Sequence, residues 1–256
     1  MGDSISTATS SPEGELISVS TVQLSIVVCT WNREQIFLQT LNQIIGNASP
    51  NDEIIVVDQT ANPQPDTVSK LTDLQKAGKI RWLKQDTPNL PAARNRGIKA
   101  SRNPVVAFID DDVYLAQGFF NNLREIYGDP AIIASVGQVI PEHQHAVDAP
   151  PGMTVLDMEP RSNQPGEVHW FYGCNFNVRR EIAMSVGGLD ENYYGGAFRE
   201  ESDFALRIST QFPHRRIVFN PRASLVHIHA DHGGVRGVKS HLSPYRVIQN
   251  CRCILL

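Results

Sequence analysis

Three consecutive aspartates, Asp110, Asp111 and Asp112, follow directly on the apolar run PVVAFI. In extended backbone, side chains two apart point the same way. Asp110 and Asp112 can therefore converge on one hard cation, with water or phosphate oxygens completing its shell. Carboxylates held this close without a cation repel one another. The plain alternative is a solvated acidic turn. The triplet closes a buried strand, and ligands bind outside the carboxyl ends of strands in a parallel sheet, which favours a metal site. Asp58 ends a second such run, EIIVVD. It either accepts a hydrogen bond from a ligand, such as a base N–H, or caps its own loop.

Further along, FREESDFALRI (198–208) reads as a helix whose apolar stripe is Phe204, Ala205, Ile208 and Phe212. Glu201 falls on that stripe at the helix N-terminal end, as a buried functional carboxylate would, and is the candidate general base. Glu200 lies off the stripe and is expected in solvent. Asp203 and Arg207 form an ordinary i,i+4 pair. Arg94 is expected in the first turn of a helix begun by Pro91, where a cation opposes the macrodipole and a bound anion would remove the conflict. In ASLVHIHADHGG (223–234), His227 and His229 share a strand face. One of them joining Asp112 on a cation is favoured over a two-zinc cluster, while a satisfied structural role is the commoner case for a lone histidine.

The elements that must position these groups alternate. Buried strands are expected at 24–30, 53–58, 79–85 and 104–110, separated by helices at 33–46, 66–77 and from Pro91, with a further helix at 116–127. Such alternation defines an α/β fold with a Rossmann-like, mostly parallel central sheet flanked by helices. Beyond residue 130, strands are expected at 131–140, 215–219 and 223–229, a strand with a turn at 168–178, and helices at 179–186 and 200–211. Residues 1–22 are Ser- and Thr-rich, lack the pattern of a signal peptide, and are expected to be disordered. A single domain is expected over 23–240, with a first half at 23–130 and a second at 131–240. A C-terminal helix at 241–256 would end abruptly on apolar residues, as if cut short.

Of 256 residues, 41% are hydrophobic and 20% charged, and the formal net charge of −4 lacks the basic excess of a general nucleic-acid binder. Four cysteines without a CxxC pair point to a reducing compartment.

Several of these segments, in order, resemble family 2 glycosyltransferases of the GT-A fold. SIVVCTWNRE (25–34) is similar to the family's opening strand and turn, and Asp58 to its base-binding acid. NLPAARNRGI (89–98) is similar to its Ala-Arg-Asn-x-Gly segment, with Pro91 near a usual Gly, and FIDDDV (108–113) to its DxD motif. GCNFNVRRE (173–181), GGLDE (187–191) and FREESDFALR (198–207) follow in the family's order. Glu201 stands where that family more often has Asp.

The resemblance implies an inverting transfer from a nucleotide-diphosphate sugar, UDP-linked by preference, to an acceptor hydroxyl. Mn2+ or Mg2+ would be held by Asp112 and His227. Thr30, Trp31, Arg33, Asp58, Arg94, Asp110 and Asp111 would bind the nucleotide. Gly173, Cys174, Asn175 and Glu200 would face the sugar or the acceptor, and Gly-Gly with Arg236 would form a loop near the diphosphate. The acceptor, whether sugar, lipid-linked or protein, stays open. The implied setting is cytoplasmic, at the inner face of a membrane if the C-terminal helix touches one, with room for a homodimer.

Other classes compete. A sugar nucleotidyltransferase would need a Gly-rich phosphate loop after the first strand, and CTWNREQIF has no glycine. A non-catalytic nucleotide-sugar-binding module would keep Asp58 and Asp112 without turnover. HIHADH resembles the HxHxDH motif of metallo-β-lactamase-fold zinc hydrolases, but it comes late in the chain and only His241 follows as a further ligand.

Overall fold

The structure is a computed structural model that describes residues 22–193 and 197–234. The expectations for residues 1–21, for Arg236 and for the helix at 241–256 lie outside them.

LSIVVCT forms β1 (Leu24–Thr30), buried on both faces as its unalternating apolar run requires. α1 (Gln35–Asn47) buries Phe37, Leu38, Leu41 and Ile44 at helical spacing. β2 (Glu53–Asp58) and α2 (Pro65–Lys76) follow, then β3 (Arg81–Lys84). α3 (Leu90–Ala100) starts at Asn89, whose side chain accepts the Ala92 N–H at 2.9 Å. β4 (Val105–Ile109) completes a parallel set in the order β3-β2-β1-β4. That order reverses between β1 and β4. The crevice at their carboxyl ends is the topological switch point of an α/β sheet, and the turn after Thr30 and the three aspartates both open onto it.

The second half builds outward from β4. β5 (Val113–Leu115) leads to α4 (Phe119–Glu125), a one-turn 3-10 helix (Ile126–Gly128) and β6 (Ile132–Pro141). β7 (Gly166–Glu167), β8 (Asn175–Arg179), α5 (Arg180–Ser185), α6 (Glu200–Gln211) and β9 (Arg216–His227) follow. The nine-stranded sheet runs β3-β2-β1-β4-β8-β6-β9-β5, with β7 on β9. Antiparallel pairing enters with β8, which lies between β4 and β6.

Two cores fill the faces. Leu24, Ile26 and Val28 pack towards α1, α2 and α4, while Val27, Ile55 and Val57 pack towards α3, α5 and α6. α3 lies close on β1 because Gly97 has no side chain: a Cβ there would come within 2.4 Å of Val27 Cγ1. This approach sets Arg94, one turn earlier, against the rim of the sheet.

Two expectations are revised. Of the strand and turn expected at 168–178, the strand begins only at Asn175, because Trp170 and Phe171 first turn into the core. The separate strands at 215–219 and 223–229 are one strand, β9, whose register to β6 jumps between Gly137 and Val139. The extra backbone of this bulge includes Pro221, which cannot donate to a ladder.

Candidate active site

Pairing geometry assembles the site. β4 lies antiparallel to β8 with Ile109 opposite Asn175, and the Asp110 N–H donates to the Cys174 carbonyl at 3.3 Å. β5 lies antiparallel to β9 with Val113 opposite His227. The aspartate triplet is therefore held between the start of β8 and the end of β9.

The convergence expected of Asp110 and Asp112 is present, on the His227 imidazole. His227 Nε2 lies 3.1 Å from Asp112 Oδ1 and 3.9 Å from Asp110 Oδ2. Asp112 is fully enclosed. Its Oδ1 also meets Arg33 Nη1 at 2.8 Å, and its Oδ2 accepts the Ala230 N–H at 3.0 Å. Burial would raise the Asp112 carboxyl, but the His227 hydrogen bond, the Arg33 charge and the Ala230 N–H outweigh it and hold it below its ordinary value. The open member is Asp110, whose side chain is 33% exposed. Asp112 was expected to present the metal ligand: here its oxygens meet His227, Arg33 and the Ala230 N–H, and Asp110 is the more accessible of the two carboxylates.

Asp111 is buried and accepts from Arg33 Nη1 at 2.6 Å. Burial still pushes its carboxyl up to about 6 against that guanidinium, with Asp112 adding to the rise. Arg33 itself is buried, and the neighbouring aspartates keep it charged despite desolvation. A glycine turn rests on it. Arg33 Nε donates to the His232 carbonyl at 3.3 Å, and the Gly234 N–H donates to the half-buried Trp31's carbonyl at 2.7 Å. Gly233 and Gly234 have φ of 71° and 57°, and a Cβ on Gly234 would lie 2.8 Å from Arg33 Nη2.

At the other end of the crevice, Asp58 is buried and its carboxylate is fully used. Oδ1 accepts the Thr60 N–H at 2.8 Å, while Oδ2 accepts from Trp82 Nε1 at 3.2 Å and Lys84 Nζ at 3.0 Å. Trp82 and Lys84 were not read from the sequence. Their two-residue spacing on β3, next to the strand that Asp58 ends, was the signal. Thr30, at the end of β1, is buried beside this network.

Arg94 is answered by protein rather than by a free anion. It stands in the second turn of α3, buried, and donates through Nη1 to Glu200 and through Nη2 to the Gly173 carbonyl at 2.7 Å. Asp110 Oδ1 lies 3.6 Å from Nη2, and the Phe176 ring centroid 5.3 Å from the guanidinium carbon. Phe176 stacks on Phe108 and Phe171, which gives the ion pair a dry floor.

Glu200 was expected in solvent and is instead 2% exposed. It stands one turn below Phe204 and two below Ile208, so the buried stripe carries it inward; Glu201 lies at the flank, half-buried, under Ala205. Burial and the Glu201 charge push the Glu200 carboxyl well above its ordinary range, against the pull of Arg94. Glu201 faces Gly173: a Cβ on that glycine would stand 3.9 Å from its carboxyl carbon and 3.4 Å from Arg94 Nη2. α6 lacks a capping side chain, and its acidic first turn complements the helix dipole instead. Asp203 and Arg207 pair at 2.8 Å as expected.

Asn175 was expected to face the sugar or acceptor and does not. It is fully buried, and its Nδ2 donates to the carbonyls of Gln138 and Ala223 at 3.0 and 2.9 Å, filling the β6–β9 bulge. Cys174 is also buried, but beside Asp110 and His227. These three are the one group among the described residues whose ligand atoms, each from a different residue, lie within 4.8 Å of one another. The His229 ring lies tilted by 37° against that of His227, with centroids 4.1 Å apart, and joins no such group with Asp231 or His232. The two-zinc arrangement suggested by HIHADH is not assembled among the described residues, and His241 lies outside them.

A parallel half-sheet with carboxylates at its switch point, joined by an antiparallel extension that supplies a histidine, is the GT-A architecture of nucleotide-sugar transferases. Residues 25–187 match the family model described as glycosyl transferase family 2, and the chain belongs to that family. It is 23% identical over 219 residues to the glucosyl-dolichyl phosphate glucuronosyltransferase of Haloferax volcanii, covering 80% of this chain and 69% of that protein. Two solved structures share the fold. GalNAc-T7 with UDP, GalNAc and Mn2+ aligns with a TM-score of 0.63 at 18% identity, over 81% of this chain and 44% of that one. The mannosyltransferase PcManGT from Pyrobaculum calidifontis with GDP-Man and Mn2+ aligns with a TM-score of 0.61 at 17% identity, over 90% and 62%. The chain thus spans less than two thirds of either solved chain. No helix among the described residues is long and apolar enough to cross a membrane.

Proposed function

We propose that this glycosyltransferase moves a sugar from a UDP-linked donor to an acceptor hydroxyl with inversion at the anomeric carbon, and that Glu201 is the general base. The observation that carries the reading is the junction at Gly173. Glu201 and Arg94 both border it, and Arg94 leads to the open carboxylate of Asp110.

A divalent cation fits this rim. Asp110 offers an accessible carboxylate and His227 a buried imidazole whose Nδ1 has no hydrogen-bond partner among the described residues. Asp110, Asp112 and His227 would hold the ion, since both carboxylates face the Nε2 side of the ring. Bound there, Mn2+ or Mg2+ supplies charge neutralisation to the departing diphosphate. The Mn2+ present in two structures of the same fold supports this part.

The chain's own residues do the rest. Asp58 receives a base N–H when Lys84, whose side chain is 41% exposed, yields its place. Arg33, with Trp31 and the Gly233–Gly234 turn, fixes the backbone beside Asp111 and Asp112. Arg94 orients Glu200 and the Gly173 carbonyl and so shapes the pocket next to Glu201. Glu201 accepts the acceptor's hydroxyl proton as the acceptor oxygen bonds to the anomeric carbon. The bond from that carbon to the diphosphate oxygen breaks, and its electron pair leaves with the diphosphate. The acceptor is a hydroxyl-bearing glycan or lipid-linked sugar, in keeping with a relative named for a dolichyl phosphate substrate.

Proton NMR of slow donor hydrolysis tests the stereochemistry, with water replacing the acceptor. Across a panel of UDP-sugars with Mn2+, the first-formed free sugar is expected with the anomeric configuration opposite to the donor's. First release of the retained anomer overturns the reading of Glu201 as a base in a single displacement.

A further inference from the structure

The mechanism uses Asp110 and His227 and leaves Cys174 idle, yet the thiol belongs to the same group of ligand atoms. Cys174 is 2% exposed, is placed by the Asp110 N–H bond to its carbonyl, and lies with Asp110 and His227 so that one ligand atom of each falls within 4.8 Å of the others. Hard ions such as Mn2+ and Mg2+ gain little from a sulfur ligand, whereas Zn2+ and its relatives take sulfur, imidazole and carboxylate together. One each of these three donors, with a fourth position left to water, is a ligand set of that kind. With ordinary Zn–ligand bond lengths the ligand atoms would stand roughly 3.5 Å apart. The contraction needed is about an ångström, and Asp110, with a side chain 33% exposed, is free to make it and to admit the ion.

We propose that Asp110, Cys174 and His227 form a three-ligand site for a borderline-soft divalent ion of the Zn2+ class. Its occupancy excludes the hard ion that the transfer uses. Binding forms a metal–sulfur bond and releases the thiol proton to solvent; no oxidation state changes. Only the competition rests on the hard-ion site proposed above, because the three ligands stand independently of it.

Co2+ serves as a coloured stand-in for Zn2+ on the full chain. Thiolate coordination is expected to give an intense near-ultraviolet charge-transfer band that Zn2+ bleaches. The band is expected to vanish in Cys174→Ser and in Cys174→Ala, with affinity for Zn2+ falling by roughly a hundredfold, the upper end of the effect of losing even an indirect partner. Electron paramagnetic resonance is expected to show Zn2+ releasing bound Mn2+ one for one. Bound Co2+ without the band, a band that survives in both Cys174 variants, or Zn2+ and Mn2+ bound together would each overturn the proposal. A Cys174-dependent band on a chain that never binds Mn2+ would uphold the three-ligand site and remove the hard-ion reading instead.

Discussion

Glu201→Gln is expected to lower kcat for sugar transfer by about 10²- to 10⁴-fold, the range for losing a positioned general base. Affinity for UDP in the presence of Mn2+ should stay within about threefold, since a change confined to the reacting hydroxyl's partner acts on the transition state rather than on donor binding. The glutamine keeps the shape of the wall opposite Gly173 but cannot take the proton. Glu200→Gln is the informative contrast. Glu200 is buried on Arg94 and reaches no open surface, so its loss acts through the placement of Arg94 and Gly173. Steady-state kinetics with calorimetric donor titration on both variants separates the two carboxylates. Undiminished turnover in Glu201→Gln would remove that residue from the base's role.

The second large effect is on stability. Arg94→Met is expected to cost about 3–5 kcal/mol, because it leaves the Glu200 carboxylate buried without its cation. For a domain of this size that corresponds to a fall in Tm of roughly 6–20 °C. The sign of the pH dependence follows from Glu200. Its folded-state carboxyl is already pushed above its ordinary range, first by burial and then by Glu201, and losing Arg94 removes the main opposing charge. Such a group favours the folded state most below its unfolded pKa, and that contribution is lost as pH rises through the folded value. The variant's deficit should therefore be smaller at acid pH and larger at alkaline pH. Arg94→Met combined with Glu200→Gln buries no charge and should recover much of the loss. Thermal unfolding across pH reads all three variants. A deficit that does not change with pH, or no recovery in the double variant, would mean that Glu200 is not held as a charge by Arg94.

Much of this arrangement was legible in the residue pattern, and the reasons differ from element to element. β1 and β2 were readable to the residue, since LSIVVCT and EIIVVD are unbroken apolar runs that only a doubly covered strand can bury. The three aspartates could be placed at the rim because they terminate such a run. The convergence of Asp110 and Asp112 followed from the two-residue period of extended backbone. Which of the two stays open was not legible. It depends on Arg33, on Ala230 and on the fold of the Gly233–Gly234 turn, contacts between residues far apart in sequence. Glu200 and Glu201 were assigned in reverse with respect to burial. On a helix the two differ by only about 100° of rotation, and at a first turn the apolar stripe alone does not say which side the core rises to cover. Arg94 was read as a first-turn cation awaiting a bound anion; it stands in the second turn, and the anion beside it is the Glu200 carboxylate, which comes from a helix more than a hundred residues later. Asn175 was misread because a bulge in a later pair of strands has no local signature in GCNFNV.

The account rests on a divalent ion and UDP meeting at the switch point between β1 and β4 through Asp110. Isothermal titration of UDP into the full chain, with and without Mn2+, tests it most directly. Tight binding only with Mn2+, abolished in Asp110→Asn, is the predicted result. UDP binding that is indifferent both to Mn2+ and to the Asp110 substitution would contradict it.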